Sequence, residues 1–168
     1  MPRQATDARK PARKAPRPPA REPKKASAPA GIRTAPKGHR FHAPEHAIRR
    51  YALALPQAYE DFPWGHRAFR VSKKVFLFLA WDDGVFTFTA KLPHSQVLAL
   101  SLPFTEPTGY GMGRSGWVTA RFSGRAAVPV GVLCRWIDES YRAVAPKKVA
   151  AMLDDRSRPV PRRPPGQR

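Results

Sequence analysis

The sequence contains almost no cysteine, few acidic residues and no long apolar run. Cys134 is the single cysteine among 168 residues, so the chain cannot form an internal disulfide or a zinc site built from several thiolates. No apolar run approaches the roughly 18–20 residues of a membrane span, and the basic N-terminus is not followed by the apolar segment of a secretory signal. These absences fit a reducing compartment, and we expect a cytoplasmic protein.

The shortage of acidic residues leaves the chain strongly basic, with 31 Lys and Arg residues against 12 Asp and Glu residues and a net charge of +19. The excess is uneven: residues 1–40 carry a net charge of +10, residues 41–153 carry +6 and residues 154–168 carry +3. Basic charge concentrated in the two ends predicts a polyanionic partner, either nucleic acid or an anionic membrane surface. The alternative is that the ends only keep the protein soluble.

Residues 1–40 consist mainly of Ala, Pro, Lys and Arg, and Ile32 is their only large apolar residue after Met1. Such a segment buries too little apolar surface to offset its ordering entropy, so we predict a disordered tail. Residues 154–168 are again rich in Pro and Arg, and we predict the same for them. The sequence therefore predicts one folded domain at residues 41–153, flanked by two disordered basic tails.

The segment Lys74–Lys91 carries the strongest structural pattern in the chain. Asp83-Gly84 between two apolar, alternating runs predicts a β-hairpin with a two-residue type I′ turn. This turn fixes the register and sorts the side chains into two faces. We predict that the inner, core-facing side carries Val75, Leu77, Leu79, Trp81, Phe86 and Phe88. We predict that the outer side carries Phe76, Phe78, Ala80, Thr87, Thr89 and Lys91.

Proline and glycine divide the rest of the domain. Apolar periodicity predicts a helix from near Pro44 to Pro56, a short helix between Pro93 and Pro103 with Val97 and Leu98 facing inward, and a helix that starts at Pro129. Alternation predicts further strands at residues 67–71 and 117–122, whereas the composition of residues 58–66 and 105–116 predicts loops. Helices at both ends with strands between them predict an α+β domain, with the helices packed on one face of an antiparallel sheet.

We find no catalytic set in the sequence. Gly111-x-Gly113-x-x-Gly116 matches a dinucleotide-binding motif, but a predicted strand follows it instead of the required helix. His39, His42 and His46 lack a cysteine partner, and we predict no metal site and no cofactor. An enzyme would need a pocket that brings His66 or His94 together with Glu60 or Asp61, which sequence spacing does not establish.

The outer face of the sheet is the candidate binding surface. Basic side chains interleaved with aromatic rings on a sheet can bind phosphates and stack bases. We predict nucleic-acid contacts from Arg70, Lys73, Lys74, Lys91, Arg114, Trp117 and Arg121. We expect Lys73 and Lys74 near Lys91 at the open end of the hairpin, and Arg114 on a glycine-rich loop with free backbone N–H groups. The alternative is that these are ordinary solvated charges and that a helix covers Phe76, Phe78 and Trp117.

An ordered set of residues also resembles a known family. The set is Leu55-Pro56, Glu60-Asp61-Phe62-Pro63-Trp64-Gly65, Lys74-Val75-Phe76, Lys91 before Pro93, Gly109-Tyr110, Arg114, Trp117-Val118, Asp138, Ser140-Tyr141 and Val144. In order and spacing it resembles the MmcQ/YjbR family, over nearly the whole predicted domain. The resemblance implies a CyaY-like α+β layout and a DNA-binding role without catalytic activity. It implies Lys74, Lys91, Arg114 and Trp117 as candidate contacts.

Two classes of function follow from these observations. The first is a DNA-associated protein whose folded domain offers a basic, partly aromatic surface and whose tails add sequence-independent phosphate contacts. The second is a protein- or ligand-binding adaptor whose tails only tune solubility. In the second case the outer sheet face would be apolar and concave, and removal of the tails would leave binding unchanged.

Overall fold

Six strands form one antiparallel sheet in the order β1-β2-β3-β4-β6-β5. The structure, a computed structural model, describes residues 34–63 and 66–157. The strands are β1 (Tyr59–Asp61), β2 (Arg67–Val71), β3 (Lys74–Asp82), β4 (Val85–Lys91), β5 (Thr105–Pro107) and β6 (Trp117–Phe122). The helices are α1 (His42–Leu53), α2 (Gln96–Leu100), α3 (Val130–Val144) and α4 (Lys147–Ser157). The predicted α+β class is confirmed.

The β3–β4 hairpin has the predicted register. Asp83 and Gly84 have φ angles of 47° and 76°, as a type I′ turn requires at its two central positions. Leu77 lies opposite Ala90, Leu79 opposite Phe88 and Trp81 opposite Phe86. The hairpin therefore forms the centre of the sheet, with β2 on one side and β6 on the other.

A β-bulge at Phe76 changes the predicted faces at the start of β3. Val75 lies opposite Arg70 and Leu77 opposite Phe69, so the register with β2 skips Phe76. Phe76 turns into the core, where it is 0% exposed. The predicted orientations of Val75 and Phe76 are therefore wrong: Val75 lies on the outer face and Phe76 on the inner face.

Ser140 of α3 explains why the bulge is stable. Its buried hydroxyl accepts a hydrogen bond from the backbone N–H of Lys91 at 2.8 Å and donates one to the carbonyl of Phe76. In a regular ladder the residue opposite Lys91 would be Phe76, so the hydroxyl takes the place of a backbone hydrogen bond. The Phe76 ring then packs edge-on against Tyr141, with ring centroids 5.4 Å apart.

Helices α1 and α3 cover the inner face and enclose the core. Helix α2 does not follow its predicted pattern, because Val97 and Leu98 are 86% and 74% exposed while Ala99 is buried. A five-residue helix has no full apolar stripe to bury. Instead Glu139 of α3 anchors its start by accepting hydrogen bonds from the backbone N–H groups of His94 and Ser95.

Both segments predicted as loops contain a short edge strand. Tyr59–Asp61 pairs with β2, and Thr105–Pro107 pairs with β6. Three-residue strands carry too little alternation to stand out in a sequence, so their presence depends on the neighbouring strands that they pair with. These two strands matter for the site, because each brings an acidic side chain to the outer face.

The folded domain begins before the predicted residue 41. Ala35 is 1% exposed, and its N–H donates to the buried Glu45 carboxylate at 2.8 Å. Arg40 donates hydrogen bonds to the carbonyls of Gly124 and Arg125 at 2.9 and 2.7 Å. At the other end α4 continues to Ser157, past the predicted limit at residue 153. The predictions for residues 1–33 and 158–168 lie outside the described residues.

An ion-pair network that is buried except at Arg49 fastens α1 to the edge of the sheet. Arg67 contacts the Glu45 carboxylate at 2.6 Å and the Glu60 carboxylate at 2.8 Å, and Arg49 contacts Glu60 at 2.7 Å. These groups lie on the inner side, since Glu60 is opposite the core residue Phe69. The charges therefore serve the packing of helix on sheet.

None of the helices in the described part of the chain combines the length and the apolar character needed to cross a membrane.

Candidate functional site

The outer face of the sheet carries small and hydroxylated side chains at its centre. Cross-strand partners share a face, so the observed registers define rows of neighbouring side chains on this surface. The central row, from β1 to β5, is Asp61, Ala68, Phe78, Thr89, Thr119 and Glu106. The row thus runs from one acidic edge strand to the other across a neutral middle.

Two of the predicted contact residues are paired with those edge acids. The Arg70 guanidinium lies 2.7 Å from the Asp61 carboxylate and also donates to the carbonyl of Lys73 at 2.8 Å. The Arg121 guanidinium lies 2.6 Å from the Glu106 carboxylate. Both arginines face outward, as predicted, but their charge is balanced within the protein, which reduces what each can offer a phosphate.

The other four predicted cations have no acidic partner among residues 34–63 and 66–157. They occupy one end of the sheet, where the β2–β3 turn, the end of β4 and the turn before β6 meet. The Leu92 N–H donates to the Gly116 carbonyl at 2.7 Å, which holds the glycine-rich loop beside the end of β4. We call these four cations the basic end; they are Lys73, Lys74, Lys91 and Arg114.

Two details of the basic end differ from the sequence prediction. Lys74 lies opposite the core residue Val71, so it is exposed on the helix side of the turn and not on the outer face. The N–H groups of Met112, Gly113, Arg114 and Gly116 donate to carbonyls of the same loop and are therefore not free for a phosphate. The loop contributes to the basic end through the Arg114 side chain.

Aromatic side chains lie next to the basic end on the outer face. Trp117 is directly opposite Lys91, and its ring centroid is 5.9 Å from that of Phe78. Both rings are half-buried on the face opposite to α1 and α3. The sequence left open whether a helix covers Phe76, Phe78 and Trp117. Of these three rings, only Phe76 packs against a helix, through Tyr141 of α3. The rings of Phe78 and Trp117 therefore lie on the outer face, beside the basic end.

A groove of about 650 Å³ lies on the same face. It runs between the outer side of β3, β4 and β6 and the loop that follows β5, and its lining includes Phe78, Ala80, Thr89, Thr108, Tyr110 and Met112. A hydroxyl chain crosses it: Thr89 to Thr119 at 3.1 Å, and Thr119 to Thr108 at 3.0 Å. The outer face is thus concave and largely neutral between its charged margins.

Sequence reasoning missed Tyr110 and Thr108 as parts of this surface. Tyr110 is fully exposed and has a φ of 55°, a backbone conformation that a tyrosine rarely adopts. An aromatic residue between Gly109 and Gly111 was the available signal, since glycines permit such a turn. The contact of Thr108 with Thr119 depends on the pairing of β5 with β6 and had no local signal.

The acidic residues considered for catalysis are engaged in ion pairs, whereas His66 lines the groove and the backbone N–H of His94 donates to Glu139. Glu60 pairs with Arg49 and Arg67, and Asp61 pairs with Arg70. Burial raises the pKa of the half-buried Cys134 thiol, and the nearby Asp138 carboxylate adds to the rise, which disfavours the reactive thiolate.

His39, His42 and His46 pack against neighbouring rings, and the glycine motif forms a short helix. His39 packs against Trp81, with ring centroids 5.5 Å apart, while the rings of His42 and His46 stack at 6.3 Å. In the described segments no group of three or more His, Cys, Asp and Glu side chains is arranged to hold a metal ion. The GxGxxG motif forms a 3-10 helix at Met112–Ser115 and leads into β6, so no helix N-terminus faces a pyrophosphate there.

Comparisons with known proteins agree with this fold. In the solved structures, the crystal structure of the Deinococcus radiodurans protein DR2400, with a domain assigned to the family model DUF419, matches at a TM-score of 0.50. The match has 22% sequence identity and covers 64% of this chain and 85% of that chain, which supports the fold alone. No curated protein matches the sequence. The family model described as YjbR matches residues 53–143, which is more than half of the chain, and the protein is therefore a member of the YjbR family.

Proposed function

We propose that the protein binds nucleic acid, primarily DNA, with little dependence on sequence. The observation that carries this proposal is the basic end, where four cations lie at one end of the sheet without an acidic partner in the described residues. Unpaired lysine and arginine side chains gain most from a phosphate backbone, because binding releases the counterions condensed on the nucleic acid. The proposal is of a binding protein without a catalytic step or a cofactor, located in the cytoplasm with the chromosome.

The N-terminal segment supplies the larger share of the charge. Residues 1–33 hold ten Lys and Arg residues against two acidic ones. Contacts between such a segment and phosphates are independent of base sequence and strengthen as salt is lowered. The basic end then orients the folded domain on the nucleic-acid backbone, because strands and turns fix where its four cations emerge from the protein.

The aromatic pair favours single strands over duplexes. A base can stack on Phe78 or Trp117 only where it is not already stacked within a double helix, and such stacking contributes about 1–3 kcal/mol per base. Lys91 lies directly beside Trp117, so a phosphate contact and a base contact are available at neighbouring positions. The domain itself should therefore prefer single-stranded over double-stranded DNA.

The groove supports a second candidate function. Its neutral, concave lining would also suit a small ligand or a peptide segment bound by an adaptor domain. In that case the basic end and the N-terminal segment would contribute solubility alone. The two functions differ in their response to salt, because only contacts with phosphates release counterions in proportion to the charges engaged.

The test is a salt titration of binding to random-sequence single-stranded and duplex DNA. Four proteins are compared: the full chain, a variant lacking residues 1–33, the full chain with all four basic-end residues changed to Gln, and the variant that combines both changes. We expect the deletion to lower both affinity and salt slope most strongly, with a reduction of about 0.9 in the slope for each duplex phosphate that is no longer neutralised. The fourfold variant should lower both quantities further when combined with the deletion.

The deletion ends at residue 33 because Ala35 and Arg40 pack on the folded domain. A matched control changes Arg50, Arg125, Arg135 and Lys148 to Gln, which removes the same number of exposed charges from outside the basic end. Unchanged binding by the fourfold basic-end variant would overturn the role of the basic end. Binding that is independent of salt would favour the adaptor function.

A further inference from the structure

The groove on the outer face has the features of a site for one flat, uncharged ring. At about 650 Å³ it falls within the range of ordinary small-molecule pockets. Its floor combines the apolar surfaces of Phe78 and Ala80 with threonine hydroxyls, and Glu106, the acidic residue of its lining, is paired with Arg121. This lining does not suit a strongly charged ligand, because Glu106 and Arg121 balance each other and the remaining basic side chain of the lining is the imidazole of His66.

The hydroxyl chain leaves hydrogen-bonding capacity toward the groove. Thr89, Thr119 and Thr108 hold three hydroxyl hydrogens and make two hydrogen bonds among themselves, so one hydrogen and several lone pairs remain. Each hydroxyl can rotate to donate or to accept. The edges of all nucleobases present donors and acceptors side by side, and an adaptable hydroxyl chain can satisfy different bases without selecting among them.

Tyr110 belongs to the lining of the groove and carries an exposed ring on a strained backbone. Its side chain is fully exposed, its φ is 55°, and Gly111 beside it has a φ of 75°. A large aromatic side chain gains nothing from that position in the free protein, and strain at such a residue commonly accompanies binding. Because Tyr110 lines the groove, its ring can close on a planar ligand bound against the floor.

Cations flank the groove where a sugar-phosphate backbone would leave it. A shallower depression lined by Arg114, Gly111 and Gly113 shares Pro107 and Thr108 with the groove. On the strand side, Lys91 and Thr89 follow each other on the outer side of β4. A neutral ring site with unpaired cations at its margin complements a base whose phosphates lie outside.

We propose that the groove binds an unpaired nucleobase of a single strand, with Tyr110 closing over it as a stacking lid. This inference rests on the proposed function and adds to it a defined base site. It accounts for the threonine-rich face, the strained tyrosine and the neighbouring cations with one ligand. The hydroxyl chain makes the site tolerant of base identity, so the protein remains nonspecific in sequence.

The test uses the full chain at high salt, where phosphate contacts are weakened. The probes are a short oligothymidylate and an oligomer of the same length and charge whose thymines are replaced by abasic sites. We expect the base-bearing oligomer to bind about tenfold more tightly than the abasic one, which corresponds to stacking of a single base.

Tyr110→Gly and Thr119→Val should each remove most of this preference and leave binding of the abasic oligomer unchanged. Tyr59→Ala is the matched control, since Tyr59 is a partly exposed ring on β1 of the same face but outside the groove. Tyr110→Gly should keep or raise the melting temperature, because glycine adopts a positive φ without strain. This variant therefore tests the site even if Thr119→Val unfolds.

The outcomes separate the two proposals. An intact preference in Tyr110→Gly would overturn the base site and leave the proposed function standing. Equal binding of both oligomers by the unchanged protein would overturn the base site together with the proposed stacking on Phe78 and Trp117, and would leave the phosphate contacts of the proposed function standing. Failure to bind either oligomer, even at low salt, would overturn the proposed function itself.

Discussion

The two faces of the sheet come from the same strands but meet different demands. The inner side of β3 and β4 carries Leu77, Leu79, Phe86 and Phe88, all essentially without solvent exposure beneath α1 and α3. The outer side carries Phe78, Thr87 and Thr89 and forms one wall of an open groove. Apolar burial on one face supplies the stability of the domain. The other face is then free to hold hydroxyls, exposed rings and cations that contribute little to folding.

The largest expected effect comes from two phenylalanines that differ only in the face they occupy. Phe76→Ala should lower the free energy of unfolding by about 3–5 kcal/mol, because it empties a buried site against Tyr141. Phe78→Ala should lower it by about 1–2 kcal/mol, because that ring is only half-buried. Urea denaturation of the two variants and the parent measures both quantities.

The pair also isolates the β-bulge. Without the bulge both phenylalanines would lie on the outer face, and the two substitutions would have similar costs. Similar losses in the two variants would contradict the bulge, and Ser140→Ala offers an independent check, since it removes the hydroxyl that replaces the backbone hydrogen bond. Ser140→Ala should lower the free energy of unfolding by about 1–3 kcal/mol, between the losses expected for the two phenylalanine variants.

A second comparison sets a buried ion pair against an exposed one. Glu45→Gln should cost about 1–3 kcal/mol, because it leaves a buried position without its charge while Arg67 keeps Glu60 as a partner. Glu106→Gln should cost about 0–1 kcal/mol, because the pair of Glu106 with Arg121 is exposed to solvent. Thermal melts of both variants give the contrast, and equal costs would contradict the assignment of Glu45 to the core.

The sequence was sufficient wherever the decisive interaction was local. Asp83-Gly84 alone fixes the β3–β4 register, and prolines mark the starts of the first and last predicted helices. The bulge could not be predicted, because it depends on the Ser140 hydroxyl, which lies 64 residues from Phe76 in the chain. Alternation in β3 predicted a regular strand because the pattern contains no mark of the extra residue.

The candidate site shows the same limit. The outward direction of Arg70 and Arg121 follows from alternation, which is a local property. Their ion pairs with Asp61 and Glu106 follow from two three-residue edge strands whose formation depends on partner strands already in place. Sequence reasoning therefore grouped all the basic residues together, whereas the structure separates paired from unpaired cations.

The hydrogen bonds between Glu139 of α3 and the residues that precede α2 predict how stability depends on pH. Burial alone would raise the pKa of Glu139, but hydrogen bonds from the Ser95 side chain and from the backbone N–H groups of Ser95 and His94 lower it overall. A carboxyl whose folded-state pKa is depressed stabilises the protein above its unfolded pKa, and this contribution is lost as pH falls through the folded pKa. The advantage of the parent over Glu139→Gln should therefore shrink below the ordinary glutamate pKa of 4.5.

Urea midpoints measured between neutral and acidic pH test this expectation. The carboxamide introduced by Glu139→Gln can still accept hydrogen bonds, so the comparison isolates the charge of the carboxylate from its hydrogen bonding. A difference between the two proteins that stays constant with pH would contradict a stabilising role for the ionised carboxylate.

The smallest expected effect distinguishes an unpaired cation from a paired one on the same face. Lys91→Gln should reduce the salt slope for single-stranded DNA by about 0.7, the contribution of one phosphate contact. Arg121→Gln should change it less, because Glu106 already balances the Arg121 charge in the free protein. Glu106→Gln should act in the opposite direction, since it releases Arg121 for a phosphate and so raises both slope and affinity. All three residues are at least partly exposed, so melting temperatures should stay close to that of the parent. Equal reductions for Lys91→Gln and Arg121→Gln, with no gain for Glu106→Gln, would show that ion pairing on the outer face does not decide which cations bind.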